Sequence, residues 1–347
     1  MAYTTINKSS DYFNTKLYTG NGSTQSITGV GFQPDMTWVK SRTTGGSTNN
    51  NHCINDVVRT KGTYGYPMIH PNLDATEYDP TSGNEVITDF QSDGFDLGGN
   101  ENSNYNTATY ASWNWKANGA GSANTDGSIS STVSASATSG FSIVKWTGTG
   151  SSGTIGHGLG VAPKVVIVKR YTSTSDWVYY TSTIDGSMDY LYLNLTNAKV
   201  DSGNPVPTSS VFQKNDTNGE TQIAYCFAEK TGYSKFGSYT GNGSANGTFV
   251  YTGFKPAFVI HKRTDATSNW TMHDSTRSLI NTADERLYSN LSNAEDSGGD
   301  YGDDILSNGF KIRTTSSSWN ASGGTYIYMA FAEAPLVGTN NVPCTAR

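Results

Sequence analysis

Three stretches decide the fold: "GFQPDMTWVKSR" at residues 31–42, "LGVAPKVVIVKR" at 159–170 and "GFKPAFVIHKR" at 253–263. In each, a proline opens an apolar run that ends on a basic residue, with Pro34, Pro163 and Pro256 six residues before Lys40, Lys169 and Lys262. A short run of β-branched and aromatic residues bounded by Gly and Pro reads as a strand. The same strand written three times reads as a repeat.

The likeness extends in both directions. Upstream stand "DYFNTKLYTGNG" (11–22), "GFSIVKWTGTG" (140–150) and "GYSKFGSYTGNG" (232–243), each an aromatic strand closed by a glycine turn. Gly supplies positive φ there and Asn tolerates it. Downstream, "TSTSDWVYYTS" and "DATSNWTMHDS" place Trp177 and Trp270 fourteen residues after their prolines, while the first copy, "NNNHCINDVVR", has His52 in that place. "HPNLDATE", "LNLTNAK" and "SNLSNAE" then align on Asn72, Asn194 and Asn290, and the copies close with "ATYASWNWKA", "TQIAYCFAEK" and "TYIYMAFAEA".

The pattern predicts an all-β chain of three tandem β-sandwich modules, of jelly-roll or immunoglobulin-like size, at 1–118, 139–230 and 231–335, with a C-terminal tail at 336–347. Residues 119–138 are small and polar and read as a Gly/Ser/Ala linker that holds the first module away from a closer second and third. "VVIV" at 165–168 is apolar on both faces, so it is expected between the opposite sheet and a loop or neighbouring module. No amphipathic helical period is present, and helix is expected below about a tenth of residues.

Composition narrows function. A net charge of −6 with no Lys/Arg cluster argues against a nucleic-acid partner. "MAYTTINKSS" has no signal-peptide pattern and no run of about 18 apolar residues occurs, so the expectation is cytoplasmic synthesis without export or membrane insertion. Cys53, Cys226 and Cys344 show no CxxC spacing and are read as reduced thiols. No HExxH, Gly-x-Ser-x-Gly or phosphate-cradling loop is found, so neither an enzyme nor a cofactor is expected.

Candidate residues fall into three groups. Asp56 with Arg59, and Asp274 with Arg277, form an Asp-x-x-Arg pattern that suits a charge-assisted turn staple; Thr181 breaks it in the second copy. Trp177, Tyr179 and Tyr180 in the second copy and Trp270, His273 and Asp274 in the third combine aromatic faces with hydroxyl-binding groups, which suits a glycan or a protein surface. Asp300, Asp303 and Asp304 in "DSGGDYGDD" are weak calcium candidates without EF-hand spacing. The basic residues after the proline strand recur in all copies and read as part of the scaffold.

"YTGNGSTQSITGVGFQPDMTWVKSR" (18–42), "NDVVRTKG" (55–62), "FQSDGFDLGG" (90–99) and "ASWNWKANG" (111–119) carry a resemblance over about residues 11–334. The chain resembles an uncharacterised β-rich repeat domain of tailed, mostly marine, bacteriophages, whose products are labelled tail fibre or virion protein. The resemblance implies a virion location, other virion proteins as partners, and a binding or architectural role. The expected function is a tail-fibre component contacting a host-surface glycan or receptor, with homo-oligomerisation, a trimer above all. The alternatives are a capsid decoration or head-fibre protein and a carbohydrate-binding module of a phage depolymerase.

Overall fold

The structure, a computed structural model, describes residues 4–43, 50–215, 217–298 and 302–335. The described chain is all-β, with 44% strand and 3% helix, well under the helical content allowed for above.

The first unit contains β1 (Phe13–Thr19), β2 (Gln25–Thr28), β3 (Met36–Ser41), β4 (Cys53–Asp56), β5 (Ile87–Gln91), β6 (Gly94–Leu97), the short helix α1 (Glu101–Asn104) and β7 (Thr109–Trp115). The second contains β8 (Ser122–Asn124), β9 (Ser131–Ser136), β10 (Phe141–Thr147), β11 (Ser152–Gly156), β12 (Val165–Arg170), β13 (Val178–Thr181), β14 (Asp189–Tyr192), β15 (Val200–Asp201), β16 (Val211–Asn215) and β17 (Thr221–Phe227). The third contains β18 (Ser234–Thr240), β19 (Phe249–Tyr251), β20 (Phe254–Arg263), β21 (Thr271–Asp274), β22 (Leu287–Tyr288), β23 (Asp303–Leu306), β24 (Gly309–Ile312), α2 (Ser317–Asn320) and β25 (Thr325–Pro335).

One strand order runs through all three. The larger sheets are β1-β7-β3-β4, β10-β17-β12-β13 with additions at both edges, and β18-β25-β20-β21-β22. The smaller sheets are β2-β6-β5, β11-β16 and β19-β24-β23. The repeated glycine turns do what their composition requires, since Gly22, Gly150 and Gly243 have φ of 70°, 81° and 70°.

Segment 119–138 is not a linker. β8 and β9 pair antiparallel with each other, and β9 pairs with the free edge of β10 over Ser131–Ser136, so the segment extends the second unit's sheet. Its small residues misled because an added edge strand lies on a sheet whose apolar face already exists and needs few large side chains of its own.

Nor is the first unit held apart. A single hydrophobic core draws on all three units, and at its centre the equivalent residues Trp115, Phe227 and Phe331 of the closing strands meet pairwise at ring separations of 6.4, 5.8 and 5.6 Å. The strand 165–168 divides its side chains as its period requires. Val165 and Ile167 enter this shared core, while Val166 and Val168 enter a second core under the small sheet β11-β16.

The units form a closed ring in which one set of contacts is used three times. Trp177 Nε1 donates to the His70 carbonyl (2.8 Å) and Trp270 Nε1 to the Tyr192 carbonyl (2.8 Å), and His52 Nε2 lies 2.9 Å from the Tyr288 carbonyl. The acceptors sit two residues before Asn72, Asn194 and Asn290. His52 Nδ1 accepts from Trp38 Nε1 at 2.8 Å, so Nε2 carries the proton and donates as an indole would. Trp38, in register with Ile167 and Ile260 of the other units, adds bulk in the copy where His replaces Trp.

The recurrent lysines complete the ring. Lys40 Nζ donates to the carbonyls of Ser41 (2.8 Å) and Ser292 (3.2 Å), Lys169 to those of Asp74 (2.8 Å) and Ser175, and Lys262 to those of Arg263 (2.7 Å) and Thr196 (3.2 Å). Ser292, Asp74 and Thr196 each belong to a neighbouring unit. These lysines, each one residue before the end of its strand, are buried clasps between units.

Candidate binding groove on the second unit

The Asp-x-x-Arg residues are interior. Asp56 accepts from the Val58 and Arg59 backbone N–H groups (3.0 and 2.9 Å) and from Arg59 Nε (2.7 Å), and Arg59 also reaches Glu77 (2.9 Å). Asp274 and Arg277 repeat the arrangement, with Glu295 as the outer carboxylate. Both aspartates also receive a donor from a neighbouring unit, Tyr225 Oη on Asp56 (2.7 Å) and Trp113 Nε1 on Asp274 (3.1 Å). Met329 holds the corresponding place in β25, and Thr181 the corresponding aspartate place in β13. Donor and carboxylate therefore meet at two of the three seams and are both absent at the third, where Met329 faces Thr181's place.

Most of the expected ligand residues are interior too. Trp177 and Trp270 are 0% and 1% exposed, Tyr179 packs on Trp270 at 4.9 Å, and His273 and Asp274 are buried. The expectation of loop-exposed aromatics is corrected here, because these rings are buried where the units meet. Of the calcium candidates, Asp303 is buried 2.7 Å from His261, Asp304 lies 3.4 Å from Arg313, and Asp300 lies outside the described residues. Among the described residues no cluster of His, Cys, Asp and Glu could hold a metal ion.

Tyr180 is the exception, and its neighbours form a site. β13 and β14 pair Tyr180 with Tyr190 and Val178 with Tyr192, so these four side chains share one face, while Tyr179 and Leu191 occupy the other within the shared core. The rings of Tyr180 and Tyr190 lie 6.0 Å apart and those of Tyr190 and Tyr192 5.5 Å apart, all half-buried. Lys214 Nζ stands 5.8 Å above the Tyr180 ring.

This face is open for an identifiable reason. Asn55, Tyr180 and His273 hold one register position. Asn55 is sealed by bonds to the Tyr66 and Pro67 carbonyls (3.0 and 2.9 Å), and His273 lies 3.0 Å from the Ala283 carbonyl. In those units the small sheet has three strands, and in the second it has two. The tyrosine ladder borders the uncovered space.

A groove of about 330 Å³ runs beside the ladder, lined by Tyr192, Val178, Arg170, Lys214, Asp176 and Gln222 among others. Asp176 Oδ1 accepts from Asn194 Nδ2 (2.8 Å), and Arg170 is braced by Thr217 Oγ1 (2.9 Å) and the Thr174 carbonyl (3.0 Å). Two cations against one carboxylate favour a ligand bearing negative charge. The aromatic rings offer flat faces for stacking and the polar groups fix hydroxyls, a combination that suits a sugar ring with an acidic substituent. Tyr190 and Tyr192 were legible in the sequence only as further aromatics near Trp177 and Trp270; strand pairing and alternation single them out once the inward residue, Tyr179, is known.

No curated protein and no solved structure matches the chain. A family described as "Domain of unknown function (DUF7483)" matches residues 8–335, and the chain belongs to that family.

Proposed function

We propose that this chain is a structural protein of a bacteriophage virion, a tail-fibre component that contacts the host surface and takes an acidic sugar of a surface glycan in the groove of its second unit. The observation that carries the binding role is the groove lined by Tyr192, Arg170 and Lys214 at the end of the half-buried Tyr180–Tyr190–Tyr192 ladder. The virion setting rests on the resemblance of the repeated phrases to phage virion proteins. Many copies on one particle turn weak sugar contacts into firm adsorption.

A capsid-decoration role is the second reading, favoured by the closed ring. One chain supplies a three-fold arrangement of related units that fits a three-fold point of a lattice, and that arrangement needs no homotrimer.

Particles carrying Tyr190→Ala with Tyr192→Ala provide the test. Adsorption to host cells is expected to fall about tenfold or more, with particle yield and heat resistance unchanged. Unchanged adsorption with particles less stable to heat would favour decoration, and electron microscopy placing the chain on the head would overturn the tail-fibre reading.

A further inference from the structure

The first unit carries a cleft at the position that corresponds to the groove. Asn51 and Asp176 are equivalent, each preceding the ring donor of its unit and each accepting from the unit's repeat asparagine, Asn72 or Asn194 (2.7 and 2.8 Å). His70 and Tyr192 are equivalent as well, both lending a backbone carbonyl to the next unit. Asn51 and His70 line the cleft, of about 500 Å³, with Tyr78, Asn84, Glu101 and Asn102. Among the described residues no Lys or Arg lines it. The scaffold is retained and the chemistry has changed.

The amides are held in one chain of hydrogen bonds. Asn72 Nδ2 donates to Asn51 Oδ1, the Asn51 N–H to Asn102 Oδ1 (3.0 Å), the Asn102 N–H to Asn100 Oδ1 (3.0 Å), Asn100 Nδ2 to Asn84 Oδ1 (2.9 Å) and Asn84 Nδ2 to Tyr78 Oη (2.7 Å). This chain fixes the cleft wall. It uses neither Asn102 Nδ2, nor the Tyr78 hydroxyl hydrogen, nor the Glu101 carboxylate. His70 Nδ1 lies 2.6 Å from the His52 carbonyl and must donate to it, so in the neutral ring Nε2 is an acceptor. Burial holds His70 below its ordinary value, which favours that neutral ring.

We propose that this cleft is a second, separate sugar-binding site, selective for an uncharged hexopyranose. Preorganised amides, a phenol, an imidazole acceptor and a carboxylate match vicinal hydroxyls that both donate and accept, and Tyr78 gives the ring C–H face an apolar surface. The lone carboxylate and the absence of a lining cation disfavour an anionic ligand, opposite to the second unit's groove. One chain then reads a neutral and an acidic residue at corresponding places.

The test uses the full chain, titrated with neutral methyl hexopyranosides and, separately, methyl uronosides, followed by saturation-transfer NMR and calorimetry. A neutral hexoside is expected to bind. Asn102→Ala is expected to weaken it about three- to tenfold, the loss of one or two hydrogen bonds. Exposed Glu101→Lys, which keeps the fold, is expected to abolish neutral-sugar binding, and Tyr190→Ala to leave it unchanged. Binding of no neutral hexoside, equal binding of uronosides in the cleft, or insensitivity to Glu101→Lys would each overturn the proposal. Loss of uronoside binding on Tyr190→Ala concerns the groove alone, so the two sites fail separately.

Discussion

Replacing Tyr225 with Phe removes a single hydroxyl from the seam between the second and first units, and the ring stays in place. That hydroxyl donates at 2.7 Å to Asp56, a carboxylate with no solvent exposure. Hydrogen bonds to charged groups contribute about 1.5–3 kcal/mol. Asp56 keeps the Val58 and Arg59 amides and Arg59 Nε, so the lower end applies, about 1.5–2 kcal/mol. An unfolding entropy of about 2.1 cal/mol/K per residue gives roughly 0.7 kcal/mol/K for the whole chain and roughly 0.2 for a unit of about 100 residues. If the shared core makes the ring one cooperative body, Tm drops by about 2–3 °C in a single transition. Independent units would instead show one of several transitions displaced by about 7–10 °C. Scanning calorimetry with guanidinium unfolding reads both quantities. A change under about 0.5 kcal/mol would refute the seam hydrogen bond, and a separate displaced transition would refute the common core. Met329→Leu, at the equivalent place with no donor, is the control and is expected to cost less than about 1.5 kcal/mol.

Three further outcomes follow from the same contacts. Trp270→Ala is expected to destabilise the chain by about 3–5 kcal/mol in denaturant unfolding, since the side chain is buried between units and its indole bonds the Tyr192 carbonyl; the same loss should follow for Trp177→Ala. Burial lowers Lys40 to about 7 and Lys169 and Lys262 to about 8, and a neutral amine still has the two hydrogens that its two carbonyl acceptors use. At these three lysines the unfolded chain binds more protons than the native one in this range, so their contribution to stability rises from pH ~7 toward ~10, and the stability of Lys40→Met relative to the parent chain should fall over the same range. Burial lowers His273 to about 4, so its contribution is present above about pH 6.5 and is lost as pH falls toward 4; denaturation midpoints between about pH 6.5 and 5 should fall less steeply in His273→Gln.

The strands, their order in the chain and the glycine turns were legible from residue types alone, because they depend on short-range physics. The run of β-branched residues along 165–168, prolines near strand starts and glycines at positive φ each act within a few residues. Repetition added what one copy could not supply, marking Lys40, Lys169 and Lys262 as scaffold before any contact was known. The sequence also recorded the exchange of His52 for Trp without its meaning, which lies in the shared N–H donor and the added bulk of Trp38.

Which aromatic residues face water was decided only by the tertiary structure. Tyr179 and Tyr180 are adjacent and chemically identical, yet one packs on Trp270 of the next unit and the other lies half-buried on the opposite face, beside Tyr190 and the second core. Strand period states that they point opposite ways but not which way is inward. That depends on where the neighbouring unit docks and on the missing third strand of a small sheet, both set by contacts between residues far apart in sequence. Trp177 and Trp270 read as surface residues for the same reason, since polar loop text flanks them and the carbonyls they bond belong to other units. Segment 119–138 could become strand because β10 offered a free edge, a property of the assembled sheet and not of the segment's own side chains.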